Sequence, residues 1–217
     1  MDTPAALARD QVYGQLRADI IACRLPPGAE LRESELAQRF EVSKSPVRDA
    51  LHRLEMERLV SVLPRRGYQI TPISVRDAQE LRELRSVIEQ ACASKAAERA
   101  SDPELRDLDR FRKFIGSGEE DFIAYNRAFH SAITSLSANS RMADYSRTLG
   151  EQHDRLVRVS ISHSSPRDYG IFVREHGAII DALQARDGRK AARLVYTHIK
   201  RGEKRIIAAF ARAAIVP

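Results

Sequence analysis

Four residues in the second half of the chain have the types and spacing to hold a divalent metal. Asn126 and His130 stand four apart, so on a helix both side chains point at one spot. His176 and His198 lie at similar distances on either side of a break at 186–189. Two antiparallel helices joined there would bring them to similar heights. Three neutral imidazoles and one oxygen ligand make a divalent metal site in the core of a helical bundle. The commoner fate of a helical histidine is burial with a hydrogen-bond partner and no ion, so both readings are open at this point. His52 lies on a helix face away from the basic cluster described next, and His153 and His163 show no partner in the sequence.

A second cluster lies near the N-terminus. Ser43, Lys44, Ser45 and Arg48 open one short apolar-periodic segment, and Lys44 and Arg48, four apart, share a helix face. Arg48 has the paired donors to meet a guanine edge, and Lys44 can do the same or neutralise a phosphate. Ser43 and Ser45 can bind phosphate oxygens at the positive end of the helix. Arg65, Arg66 and Gly67 occupy a tight turn further on, placed to reach a nucleic-acid backbone or minor groove. A solvated basic face has the same composition, and the spacing alone does not separate the two.

The elements that must carry these residues are legible from periodicity. Val12, Leu16, Ile20 and Cys23 predict a helix over 8–23, ended by Leu25-Pro26-Pro27-Gly28. A short helix over 33–40 and a third from Ser43 to about Arg58 follow, with Ser43 or Ser45 as N-cap and Pro46 in the first turn. Strands over 59–63 and 68–71 flank the Pro64–Gly67 turn. Helix, short helix, turn, helix and hairpin is the order of a winged helix-turn-helix. From residue 76 onward the pattern is helical. Ser74-x-x-Asp77 resembles a capping box opening a helix to about Ala100, and a short helix follows Ser101-Asp102-Pro103 to about Phe114. Further helices are expected over about 119–136, 141–161, 169–186 and 189–212, with breaks at Asn139, Ser164-Ser165-Pro166 and Asp187-Gly188. The fold class is therefore mainly α: a winged helix-turn-helix domain over 1–73 and an all-helical bundle over 76–213.

Composition constrains the setting. The chain has 217 residues, 43% of them hydrophobic, enough for a packed core in two modest domains. The net charge of +6 suits nucleic acid only weakly, because the basic excess falls mostly after residue 74. Two cysteines, Cys23 and Cys92, without a CxxC pattern or disulfide framework point to a reducing compartment. No apolar run is long enough to span a bilayer and no signal-peptide pattern opens the chain, so a cytoplasmic protein is expected.

The N-terminal residues carry a specific resemblance. Leu25-Pro26-Pro27-Gly28-Ala29-Glu30-Leu31, then Glu33-x-Glu35-Leu36-Ala37, then Val42-Ser43-Lys44-Ser45-Pro46-Val47-Arg48-Asp49-Ala50-Leu51-x-x-Leu54 resembles the GntR family of bacterial regulators. That resemblance implies DNA contacts by Ser43, Lys44, Ser45, Arg48 and Gly67. The chain departs from the pattern at Ser34, where many members carry Arg, at Asp49, and at Arg58, which replaces a Gly before the first wing strand. The second half is similar to the FCD domain of the FadR-type branch through Leu81-Arg82-Glu83-Leu84-Arg85-x-x-x-Glu89, Phe129-His130 followed by Asn139, the run from Glu175-His176 to Asp187, and Ala192 and His198. Many such domains bind a metal through one Asp and three His. Carried onto this chain, the histidines are His130, His176 and His198, and Asn126 stands at the Asp position.

Asn126 offers a weaker, neutral ligand than a carboxylate, so four neutral ligands would leave the dication uncompensated. The expectation is a lower metal affinity and a stronger preference for an anionic effector bound at the metal. Arg85 is a candidate partner for a second carboxylate of that effector; the alternative for it is an i,i+4 ion pair with Glu89. The function implied is a homodimeric regulator whose affinity for double-stranded operator DNA is set by a small organic acid, with a divalent metal, zinc or nickel, as cofactor. Two competing classes are a regulator whose effector is the metal itself and a metallohydrolase. The latter lacks an HExxH motif and a base placed beside the ligands.

Overall fold

The computed structural model describes residues 4–161 and 169–212, and the chain divides into two units between Ile73 and Ser74. His163 and the break at Ser164–Pro166 lie outside the described residues.

The first unit is built on three helices and a small sheet. Helix α1 (Pro4–Ile21) buries Val12, Leu16 and Ile20, one per turn, against α3 (Lys44–Met56). Helix α3 answers with Val47, Ala50, Leu51 and Leu54, all fully buried, while Ser43, Lys44, Ser45 and Arg48 face solvent. Helix α2 (Glu33–Arg39) contributes Leu36 to the same core and is tied to α1 by a buried carboxylate. Asp19, 3% exposed, accepts from Gln15 Nε2 at 2.9 Å, Arg24 Nε at 2.8 Å and Arg39 Nη2 at 2.7 Å. The turn from α2 to α3 places Glu41 at φ 54. Ser43 occupies the N-cap position of α3 with extended backbone, but its hydroxyl makes no capping bond.

Strands β1 (Glu30–Leu31), β2 (Val60–Leu63) and β3 (Gly67–Ile70) form an antiparallel sheet in the order β1-β3-β2. Tyr68 pairs with both Leu31 and Val62. The sequence predicts the β2–β3 wing; strand β1, two residues long, is too short to leave a period-2 signal. It explains Gly67, which sits at φ 105 with the Leu31 carbonyl 2.6 Å from where a Cβ would stand. Arg58, in place of the family glycine, takes φ 58, so that substitution does hold a left-handed backbone there. Both ends of the first helix are corrected. It starts at Pro4 rather than at residue 8. The first helix ends at Ile21, and Cys23 lies beyond it at φ 54 rather than on its buried stripe. The backbone turns before the prolines because Leu25 N bonds to Asp19 O at 3.2 Å.

The second unit is helical throughout its described residues. It comprises α4 (Val75–Arg99), α5 (Asp102–Asp107) with a 3-10 turn (Leu108–Arg112), α6 (Glu119–Ser135), α7 (Ser140–Ile161), α8 (Tyr169–Gln184) and α9 (Gly188–Arg212). Ser74 caps α4 by accepting from Asp77 N at 3.0 Å, and Asn139 caps α7 by accepting from Met142 N at 3.1 Å. Ala93, Ala96 and Ala97 give α4 a small-residue stripe on which α9 packs through Ala191, Val195 and Ile199. Phe129, Ile179, Ile180 and Leu183 complete the core and fix the facing surfaces of α6 and α8.

Candidate nucleic-acid face and metal centre

In the first unit the predicted contact residues lie at the start of α3 and at the tip of the wing, all exposed except Gly67, which is half-buried. Lys44 and Arg48 project from the first turns of α3, whose free N–H groups carry the positive end of the helix dipole. Arg48 is 64% exposed in its side chain and makes a paired contact with Glu33: Nε donates to Oε1 at 3.1 Å and Nη2 to Oε2 at 2.9 Å. Arg48 in turn holds the Glu33 carboxyl below its ordinary range. At the wing tip Arg65 adopts φ 66, and Arg66 donates to Glu30 on the neighbouring strand. Both arginines and Gly67 thus sit at one end of the sheet, as the hairpin requires.

In the second unit the three predicted histidines meet. One ring nitrogen from each of His130 on α6, His176 on α8 and His198 on α9 lies within 4.8 Å of the others, and all three side chains are buried. Their partners define which nitrogen is free. His130 Nδ1 donates to Glu89 Oε2 at 2.6 Å, and His198 Nδ1 donates to Glu175 Oε2 at 2.7 Å. His176 Nδ1 is 3.1 Å from the Tyr125 hydroxyl. That hydroxyl spends its proton on the Phe111 carbonyl at 2.6 Å, and burial keeps it protonated by pushing its pKa up to about 12. His176 Nδ1 must therefore be the donor. All three Nδ1 atoms carry hydrogen, and the three Nε2 lone pairs turn inward.

Those lone pairs are the test of whether the residues suit a metal. His130 Nε2 and His198 Nε2 face each other at 3.3 Å, an arrangement that two acceptors tolerate only with a positive centre nearby. His176 Nε2 is buried with no hydrogen-bond partner. Burial holds the His198 pKa down to about 4, against the pull of Glu175, and His176 well below its usual value, so neither of these two rings readily takes a second proton. Asn126 Oδ1, one turn before His130, is likewise buried without a partner. Imidazoles held through Nδ1, two of them by carboxylates and one by a tyrosine hydroxyl, and an unpartnered amide oxygen, fit a divalent cation.

The carboxylates behind the rings are themselves held by arginines. Glu89 accepts from Arg85 Nε at 2.8 Å, both side chains being 3% exposed. Burial opposes the Glu89 charge, but Arg85 and His130 outweigh it and keep the carboxyl well below the ordinary range. Glu175 accepts from Arg201 and Arg205, and His198 and Arg205 bring it down to about 2 against the cost of burial. Arg85 thus makes the Glu89 pair weighed as its alternative, and it also lines the cavity beside the histidines.

That cavity runs between α4, α6 and α7, with a lobe of about 350 Å³ walled by Arg85, Asn126, His130, His153 and Asp154. An adjoining lobe reaches His198 and Arg205. Arg205 stacks its guanidinium 4.4 Å over Phe172, and its Nη1 is buried with no hydrogen-bond partner. The sequence reading missed three of these residues. Arg205 stands two turns beyond His198 on one helix, a spacing that could have revealed it. His153 and Asp154 left no such signal, because nothing in the sequence says which face of α7 is turned inward.

A winged helix with a basic recognition edge, carried in one chain with a helical unit that encloses a histidine-lined cavity, is the build of a DNA-binding transcriptional regulator. Residues 8–70 match the gntR family of bacterial regulatory proteins, and residues 80–201 match the FCD domain. The chain is 31% identical over 202 residues to the HTH-type transcriptional repressor RspR of Escherichia coli strain K12, covering 91% of this chain and 88% of that protein. It is 28% identical to the HTH-type transcriptional regulator YdhC of Bacillus subtilis strain 168, covering 87% and 86%. The fold of E. coli McbR/YncC superposes with a TM-score of 0.78 at 20% identity, over 97% of this chain and 100% of that one. The chain belongs to the GntR family, with an FCD domain as its second unit; it is a transcriptional regulator and not an enzyme. No helix among the described residues is long and apolar enough to cross a membrane.

Proposed function

We propose that this regulator binds its operator as a homodimer, and that a small organic acid beside a divalent metal controls its affinity. The observation that carries the reading is the convergence of one ring nitrogen from each of three buried histidines, with every Nδ1 engaged by a partner. His130, His176 and His198 would hold the metal, zinc or nickel, with Asn126 Oδ1 as the fourth ligand. When bound, the metal supplies a Lewis-acidic anchor for a carboxylate. Asn126 adds no charge, and Glu89 and Glu175 supply negative charge only through the rings. An anionic ligand is therefore favoured at the metal, and Arg205 Nη1 and Arg85 are placed on the cavity wall for its remaining oxygens.

At the other unit, Ser43, Lys44, Ser45 and the N-terminus of α3 would meet phosphates and base edges in the major groove, with Arg48 reading a base. Arg65, Arg66 and Gly67 would approach the adjacent backbone or minor groove. Two copies would meet two half-sites about one helical turn apart. An acid that favours one arrangement of the two heads must change operator affinity, and the operator must change acid affinity by the same factor.

The test is operator binding by metal-loaded protein, titrated with small mono- and dicarboxylates. The operator is first selected from random duplex by the protein itself. A shift in operator affinity with an acid, absent from metal-free protein, supports the proposal. A response to zinc or nickel alone, unchanged by any acid, makes the metal the effector.

A further inference from the structure

The contact between Glu33 and Arg48 has a consequence for specificity. A guanidinium has two edges that present parallel N–H donors, Nε with Nη2 and Nη1 with Nη2. Glu33 takes the first edge through both oxygens, at 3.1 and 2.9 Å. The second edge, at the tip, stays open on a side chain that is 64% exposed, whereas the Glu33 side chain is only 22% exposed beneath it. The open edge still presents two parallel donors, which match guanine O6 and N7. Glu33 is the first residue of α2, where the helix N-terminus favours its charge, and α2 is anchored by Leu36 in the core.

We propose that Glu33 is a positioning residue that locks the plane of Arg48, so that its tip is presented to a guanine before DNA arrives. An arginine on a free stem must be ordered on binding, and it can turn to a phosphate as readily as to a base. The buttress removes that freedom. Its carboxylate also repels the phosphate backbone, so it lowers affinity for DNA that lacks the guanine. Glu33 thus trades general affinity for discrimination. The inference rests on the reading of Arg48 as the base-reading residue.

The experiment uses the full chain, the selected operator and operators with single guanine replacements. Wild type and Arg48→Ala are compared first. Arg48→Ala should abolish discrimination at one guanine of each half-site. Glu33→Gln keeps the shape but offers one acceptor and no charge. It should reduce discrimination at that same guanine by about tenfold, and binding to random duplex should be unchanged or tighter. In the Arg48→Ala background, Glu33→Gln should have no further effect on discrimination. Full discrimination by Glu33→Gln overturns the positioning role while leaving Arg48 as the reader. An equal loss in both backgrounds also overturns it, because Glu33 would then act without Arg48. Full discrimination by Arg48→Ala removes the underlying reading, and the buttress with it.

Discussion

Glu89 stands between Arg85 and His130, accepting from Arg85 Nε at 2.8 Å through one oxygen and from His130 Nδ1 at 2.6 Å through the other. The pair is fully desolvated, so the carboxylate fixes the ring and raises the electron density that His130 Nε2 offers inward. Glu89→Gln keeps the shape but removes that charge. It should weaken zinc binding about 10- to 100-fold, measured by competition with a chromophoric chelator. Unchanged affinity would mean that Glu89 serves Arg85 alone.

His176 makes a cleaner test of the coupling between the units. Its ring stacks on Phe129 at 3.7 Å between centroids, and its Nε2 has no hydrogen-bond partner. His176→Ala should abolish metal binding and the response to acids, yet leave operator binding in the absence of effector within about twofold. The readout is operator affinity with and without metal and acid. A retained acid response would place the effector site away from the metal.

The operator face yields two separable effects. Arg48→Ala should cost about 1–3 kcal/mol at the selected operator and relax one base position. Lys44→Ala should weaken binding to all sequences and reduce the slope of log affinity against log salt by about 1. Equal losses on cognate and random duplex for both variants would contradict the division between base and phosphate contacts.

Asp154 on the cavity wall carries a pH signature. Arg127 Nη1 lies 3.0 Å from its Oδ2 without the direction of a hydrogen bond, so the two attract as charges only. Burial is the larger influence and pushes the Asp154 pKa up to about 7. The folded state thus favours the protonated acid. The stability this contributes is full below the unfolded value of 3.8 and is lost as pH rises through about 7. Asn at this position cannot ionise. Asp154→Asn should match wild type near pH 4 and exceed its stability by a few kcal/mol at pH 8. Melting of metal-free protein across that range is the measurement. A difference that does not grow with pH would mean that the Arg127 attraction balances burial.

Much of this architecture is legible in the residues. One apolar side chain per turn, Val12, Leu16 and Ile20, marks α1, and Pro46 at the start of α3 marks the recognition helix. Helix spacing pairs Asn126 with His130 on one face and His176 with His198 across a turn, while that the two pairs form one centre is what the family resemblance implies. Other features depend on contacts that periodicity does not encode. Strand β1 exists because Leu31 and Glu30 pair with Tyr68 and Gln69, residues almost forty positions away. Cys23 leaves its apolar stripe because a left-handed turn there lets Leu25 bond back to Asp19. The fixed Nδ1 partners were present as letters, Glu89, Tyr125 and Glu175, but which ring each would hold depends on how α4, α6, α8 and α9 cross. Asp154 and His153 enter the cavity for the same reason.

The most direct test of the account is the metal content of tag-free protein, measured by elemental analysis before and after incubation with zinc or nickel. The account predicts about one divalent ion per chain, reduced to background in His130→Ala, His176→Ala and His198→Ala. No bound metal in wild type after incubation would contradict it, and would leave three buried histidines whose Nε2 atoms converge on a cavity for some other ligand.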